Sequence, residues 1–403
     1  MLAALLPVRD PRDRVVAYEL TAYPESAAVS IASNEDDARG TLDLLSTLPL
    51  PRLASGRPVH VPVTPALVRD GALSRFASVD AVFVLATQAL EDPATTRAVE
   101  VLISRGFHFG LDGFPDGPPL PAGLKGATIA LDAARVAPLT LASRIQLLLQ
   151  AGLKPIARNV DDRATRERVL GLAVPLYSGR ILPRATLCDA IAESGVKRAV
   201  TILAAFSDGR PPDTSFDAYV RNDARLSAEI LRVMRSASMG VRGPRTVEHA
   251  FTVLGRDVIL DSMTALVARL AAECAGDPEL ALVALRRARM CERLADALER
   301  PPHPRTRCLA GLVSILDAAF GVPPSSLSSH VALSPALTDV AMDRVQPLGQ
   351  LIDVIDAYDN GWWPDVRSRC HNLGVSPSVI QQAYFDAWRD AREELGYSKS
   401  LEG

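Results

Sequence analysis

Lysine is nearly missing from this chain. Only Lys125, Lys154, Lys197 and Lys399 are lysines among 403 residues, and arginine carries the other positive charges. Charge of one sign is not in excess either. A formal net charge of −3 gives no global attraction to nucleic acid or acidic lipid, so neither is expected as a partner. Cysteine is sparse and odd in number: Cys188, Cys274, Cys291, Cys308 and Cys370. No two stand at Cys-x-x-Cys spacing, which excludes a disulfide framework and a zinc knuckle and leaves reduced thiols of a cytoplasmic protein. The six histidines are scattered, and none stands three or four residues from another. His249 therefore reads as solvated or helix-packed. No serine sits in a Gly-x-Ser-x-Gly elbow. No apolar run approaches the roughly 20 residues that span a bilayer. The opening MLAALLPVRDPRD lacks a basic lead and meets charge at once, unlike a signal peptide. No cofactor or metal site is indicated.

What is present divides in two. From Met1 to Arg184 short apolar strands alternate with helical stretches. Val15–Leu20, Ala81–Leu85, Thr128–Leu131, Pro155–Ala157 and Leu176–Leu182 read as strands. Val59, Val61 and Val63 alternate with His60, Pro62 and Thr64, a half-buried pattern in which Pro62 predicts an edge or a distortion. Phe107, Phe109 and Leu111 alternate in the same way. Thr95–Arg105 and Leu141–Ala151 read as helices. Alternating β and α units predict a parallel sheet or barrel. The run GLDGFPDGPP (110–119) lacks the spacing of a phosphate loop and reads as surface loop.

Five motifs in this half, in order, resemble the EAL family of cyclic di-GMP phosphodiesterases, whose fold is a (β/α) barrel. VAYEL (Val16–Leu20) is similar to the family's opening motif. GFHFGLDGF (Gly106–Phe114) looks like the strand ending in Asp-Asp-Phe-Gly. ATIALD (Ala127–Asp132), PIARNVDD (Pro155–Asp162) and LYSGRILPR (Leu176–Arg184) look like the strands that follow. The resemblance implies metal ligands at strand ends, and there the chain departs from the pattern. Glu19 and Asp112 remain, and Asp132 and Arg158 mark two further positions of the residual site. The family's asparagine falls at Pro62, a glutamate at about Ala86 and the second aspartate at Gly113. The lysine falls at Ala130, another glutamate at Arg158 and the glutamine at Ser178. Hard cations need several oxygen ligands, and two separated carboxylates do not supply a two-metal centre, while an arginine in place of a carboxylate at position 158 further opposes cation binding by charge repulsion. Read without the family, Glu19 is a solvated strand-end acid pairing with an arginine, and Asp112 caps a turn before Gly113.

From Ala185 onward helical periodicity takes over. Leu187–Val200 reads as a helix and Phe206–Phe216 as a loop. The stretch Asn222–Arg256 reads as two amphipathic helices around a Gly240 turn, with Gly255 ending or bending the second. Ile259, Met263, Leu266, Val267 and Leu270 line one helix face. Ala284, Ala288, Cys291, Ala295 and Leu298 line another, and Leu309, Leu312, Val313, Leu316 and Phe320 a third. Leu351, Ile355 and Tyr358 line a fourth, and Pro377–Leu395 is the last long helix. Asn222–Arg256 resembles the HDOD signature through Asp223, Leu226, Ser236, Gly240, Ala250, Leu254 and Gly255, while Ala224, Arg235, Met239 and Thr246 depart from it. That family resembles the HD phosphohydrolases, but this chain has no His-Asp dipeptide. Trp362 and Trp363 read as closing the helical core, with a partner anchor as the alternative. Arg286, Arg287, Arg289 and Arg293 read as a solvated basic helix face.

The expected architecture is α/β plus all-α: a reduced EAL-like barrel over residues 1–184, then an all-helical HDOD domain with a C-terminal extension over residues 185–403. The two resemblances with the missing groups imply a bacterial signalling protein without enzymatic activity, acting through unidentified signalling proteins. A cyclic di-GMP receptor without turnover is the alternative, and a cyclic di-GMP phosphodiesterase a further one.

Overall fold

The computed structural model describes residues 2–23, 35–54, 56–76, 81–116, 120–179, 247–298, 303–320 and 333–396, with single positions at 200, 203, 224, 227, 228 and 327. Two compact units are present. One is built from residues up to 182 with 358–363, the other from 183–357 with 364–397.

The first unit is a closed eight-stranded barrel in the order β1 to β8. Its strands are β1 (Leu2–Arg9), β2 (Val15–Tyr23), β3 (Val59–Pro62), β4 (Ala81–Ala86), β5 (His108–Asp112), β6 (Thr128–Asp132), β7 (Lys154–Arg158) and β8 (Leu176–Ser178). β1 runs antiparallel to both β2 and β8, and the other neighbours are parallel. The apolar opening of the chain is thus a barrel strand, a role its sequence did not suggest. It turns into β2 because the Asp10 carboxylate accepts the backbone N–H groups of Arg12 and Arg14 (2.9 and 3.0 Å), a side-chain mimic of a turn.

Helices α1 (Glu35–Thr47), α2 (Pro65–Arg69), α3 (Pro93–Ser104), α4 (Pro138–Gln150) and α5 (Arg163–Gly171) lie between the parallel strands. Asp92 starts α3 by accepting from the N–H groups of Ala94 and Thr95, and Asp162 starts α5 by accepting from Thr165. Two strand expectations need correction. β3 is interior to the barrel, and Pro62 is merely its last residue, where the missing donor costs little. Nor is that segment half-buried: Val59, His60, Val61 and Thr64 are all buried, because closure covers the inner face as the helices cover the outer one. Residues 180–182 of the expected last strand lie outside the described residues.

Within the same unit, Trp363 is buried and stands edge-on to Tyr358, with ring centroids 5.3 Å apart. Trp362 is half-buried.

The second unit is helical. Its described helices are α6 (Val247–Ala275), α7 (Glu279–Leu294), α8 (Pro304–Val313), α9 (Leu316–Phe320), α10 (Pro335–Ala341), α11 (Pro347–Asp359), α12 (Trp363–Leu373) and α13 (Pro377–Leu395), the ends of α11 and α12 reaching into residues 358–363. Helix α7 packs against α6, α8 and α13 and is buried almost all round. Gly311 of α8 permits the close approach: a methyl group there would lie 2.4 Å from backbone atoms of Arg287 and Ala288. The expected apolar faces are buried, except that Ile259 lies outside the residues whose side chains are described. The segment Leu309–Phe320 forms two helices rather than one, broken after Val313.

Helix α6 continues through Gly255 to Ala275, so the helix expected beyond Gly255 is there and a stop at Gly255 is not; a single helical glycine costs only about 1 kcal/mol, which packing overrides. Ala250, Leu254 and Gly255 lie in α6, whereas Asp223, Leu226, Ser236 and Gly240 lie outside the described residues, as does nearly all of Leu187–Val200 and the whole of Phe206–Phe216.

The arginine cluster on α7 is also corrected. Arg286 and Arg287 are buried, not solvated. The Arg286 guanidinium stacks over the rings of Tyr384 (4.7 Å) and Trp388 (4.6 Å). Arg287 pairs with Asp356 at 2.6 Å, Arg289 with Glu394 at 2.7 Å, and Arg293 with Asp390. The cationic run fastens α7 to α11 and α13.

Candidate functional site

Parallel strands gather their C-terminal ends at one mouth of a (β/α) barrel, where chemistry is usually placed. Four residues identified from sequence are positioned there by the strands. Asp112, Asp132 and Arg158 are the last residues of β5, β6 and β7, and Glu19 lies on β2 opposite His60 of β3. Registered neighbours in adjacent strands share a face, so these side chains converge by topology although they are far apart in sequence.

Arg158 links the two surviving carboxylates. One guanidinium nitrogen pairs with Glu19, and the other lies 3.0 Å from an Asp112 oxygen. The second Glu19 oxygen accepts the Ser178 hydroxyl at 3.1 Å. Burial disfavours the Arg158 charge, but Glu19 and Asp112 outweigh it and push its pKa above the ordinary arginine value. Its Nε is buried and makes no hydrogen bond among the described residues.

Asp132 belongs to a different arrangement. One of its oxygens accepts the N–H groups of Ala134 and Arg135, and the other accepts the Asn159 amide at 2.9 Å. It holds the turn after β6.

His60 is a participant that the sequence did not mark. It is buried on the inner wall, and burial together with the nearby Arg158 charge lowers its pKa to about 4, so it is neutral at physiological pH. A lone histidine in an apolar alternating segment carries no signal of that neighbour.

The residues present do not fit a divalent metal centre. Pro62, Ala86 and Gly113, at the expected ligand positions, offer no oxygen donor from a side chain. Glu19 and Asp112 are already held by a fixed cation that would repel a second one. Among the described residues, no three His, Cys, Asp or Glu side chains cluster as metal ligands. Gly113 adds a backbone constraint. Its φ of +101° suits glycine, so an aspartate restored there would be strained. The Thr87 hydroxyl fixes this bend by donating to the carbonyls of Asp112 and Gly113 (3.0 and 2.7 Å). Beside the mouth, a cleft of about 850 Å³ is lined in part by Gln88, Arg97, Phe114 and Asp116.

No helix among the described residues is long and apolar enough to cross a membrane.

No protein-family model matches the chain. Over 171 residues it is 25% identical to a cyclic di-GMP phosphodiesterase of Vibrio cholerae, CdgJ, a match that covers 42% of this chain and 39% of that protein's length. Over 403 residues it is 20% identical to YuxH, an uncharacterised protein of Bacillus subtilis, covering 96% and 97% of the two chains. Similar solved structures include the PaMucR phosphodiesterase in complex with c-di-GMP, at 17% identity and a TM-score of 0.35 over 44% of this chain and 88% of that one. The EAL domain of Mycobacterium smegmatis DcpA is similar at 19% identity and a TM-score of 0.35, over 44% and 89%.

Proposed function

We propose that this chain is a regulatory protein of cyclic di-GMP-related signalling in which the barrel has lost phosphodiester hydrolysis and serves as a docking module. On this reading the helical half is an HDOD domain that binds a signalling protein. The sequence likeness of the N-terminal part to the Vibrio phosphodiesterase supports the signalling context. The observation that carries the loss of chemistry is the Glu19–Arg158–Asp112 bridge. A metal-assisted hydrolase needs a Lewis acid that lowers the pKa of a bound water and clamps the attacking and leaving oxygens. A guanidinium brings charge and hydrogen-bond donors but no open coordination position. Because its charge is already matched by Glu19 and Asp112, Arg158 is also a poor receiver for a phosphate, which counts against the receptor reading.

The test is titration of the purified full chain with cyclic di-GMP, with and without Mg²⁺ or Mn²⁺, following heat and product together. The expected outcome is no product under any condition. Metal-dependent turnover that disappears in Asp112→Ala would overturn the proposal, and binding without turnover would make the protein a nucleotide receptor.

A further inference from the structure

The end of the barrel opposite the Arg158 bridge holds a second cavity, of about 440 Å³. That size lies within the range of roughly 300–1,000 Å³ typical of small-molecule sites. Its rim is set by the first residues of three successive strands: His108 of β5, Thr128 of β6 and Lys154 of β7. Lys125 joins them from the segment before β6, and His60 forms part of the lining.

We propose that this N-terminal mouth binds a small organic anion, an apolar body carrying a phosphate or carboxylate. Three observations converge. First, among the described residues the lining contains Lys125 and Lys154 and no aspartate or glutamate. Half of the chain's four lysines meet in this one cavity. Second, these lysines make no ion pair among the described residues. In the same unit Arg14, Arg69, Arg144, Arg158 and Arg166 are each paired with a carboxylate. Unmatched cations beside low-dielectric walls focus potential on an anion. Third, Thr128 lines the cavity, and its hydroxyl, packed against Gly110, makes no hydrogen bond among the described residues, so a small rotation would offer a donor to a bound anion. The walls supply the apolar part: Val16, Pro58, Val82, Phe109 and Leu176 line the same cavity. Lysine ammonium groups bind as point charges, so the site selects for charge and size rather than for a bidentate shape.

This inference goes beyond the regulatory reading and does not depend on it. Phenyl phosphate is the probe for body and head group together, and inorganic phosphate for the head group alone, each titrated calorimetrically into the full chain. Saturable binding of phenyl phosphate is expected, at least tenfold tighter than that of inorganic phosphate. It is expected to weaken at least tenfold in Lys125→Glu and in Lys154→Glu, and to persist in Arg158→Lys at the opposite mouth. Both lysines are exposed, so the variants should melt with the parent protein, and Lys154→Met separates loss of charge from charge reversal. Absence of saturable binding by phenyl phosphate in the millimolar range would sink the proposal. So would equal affinity in the parent and both lysine variants, or inorganic phosphate binding as tightly as the aromatic ester.

Discussion

Arg158 holds two carboxylates together at one mouth of the barrel with a guanidinium, which has no open coordination position. The bridge to Glu19 is largely buried and the one to Asp112 more open, so removing the guanidinium strands Glu19 more than Asp112. Breaking such a mixed pair costs about 2–3 kcal/mol, below the range for fully buried pairs. Arg158→Glu should therefore lower the melting temperature, and it should also gather three carboxylates at one mouth. Millimolar Mn²⁺ is expected to raise the melting point of Arg158→Glu and to leave the parent protein unchanged. Equal stabilisation of the parent would show that its carboxylates are still available to a metal. His60 gives a second prediction. Its folded pKa of about 4 lies below the ordinary value of 6.5, so between these values the unfolded chain takes up a proton that the folded chain refuses. The His60 contribution to stability should be full above pH 6.5, fall by about 3 kcal/mol as pH drops to 4, and add no further loss below that. Thermal melts of His60→Gln across this window should have a flatter profile than the parent. Parallel profiles would remove His60 as the cause. At this scale the sequence named Glu19, Asp112 and Arg158 and expected an arginine partner for Glu19. It expected that acid to be solvated, whereas Glu19 is buried and shares its arginine with Asp112, a product of strand register and closure.

Among the elements, the barrel closes at the seam where β1 meets β8, with Val8 opposite Ser178 and Arg9 opposite Tyr177. A side-chain clamp reinforces the seam. Asp13, in the β1–β2 turn at φ +63°, receives both Arg166 of α5 (2.6 and 2.7 Å) and the hydroxyl of Tyr177 on β8. Charge-assisted hydrogen bonds of this kind contribute about 2 kcal/mol. Arg166→Ala should lower the urea midpoint accordingly. Asp13→Ala should do the same, with the double variant no worse than the more severe single one, because both remove one interaction. Additive losses would mean that the two residues act independently. Some elements were fully legible in the sequence. Pro377–Leu395 matched to the residue because Pro377 opens the helix and Gly396 follows its end. Others were not. β1 lacks alternation because most of it is buried on both faces, and the arginines of α7 looked solvated because Asp356, Asp390 and Glu394 lie far along the chain.

For the whole molecule, the alternation of β and α segments, followed by helix alone, marks the class of each half in the sequence. That information is local: apolar period, proline and glycine placement, and capping residues act within a few positions of themselves. The identity of the side chains at positions 62, 86, 113 and 158 is local too, since a residue's chemistry is the same in any fold. Closure of the barrel was not local. It requires β1 to run against its neighbours and reach β8 across the whole unit, which is a matter of pairing and not of propensity. The same holds for the two mouths. Whether Lys125, Lys154 and His108 surround one cavity, or Arg158 lies between Glu19 and Asp112, depends on which strand ends point the same way. The sequence by itself therefore determined the kinds of elements and which side chains stand at the strand ends. The tertiary structure decided how the remaining charges meet, because contact between residues distant in sequence is set by register and closure.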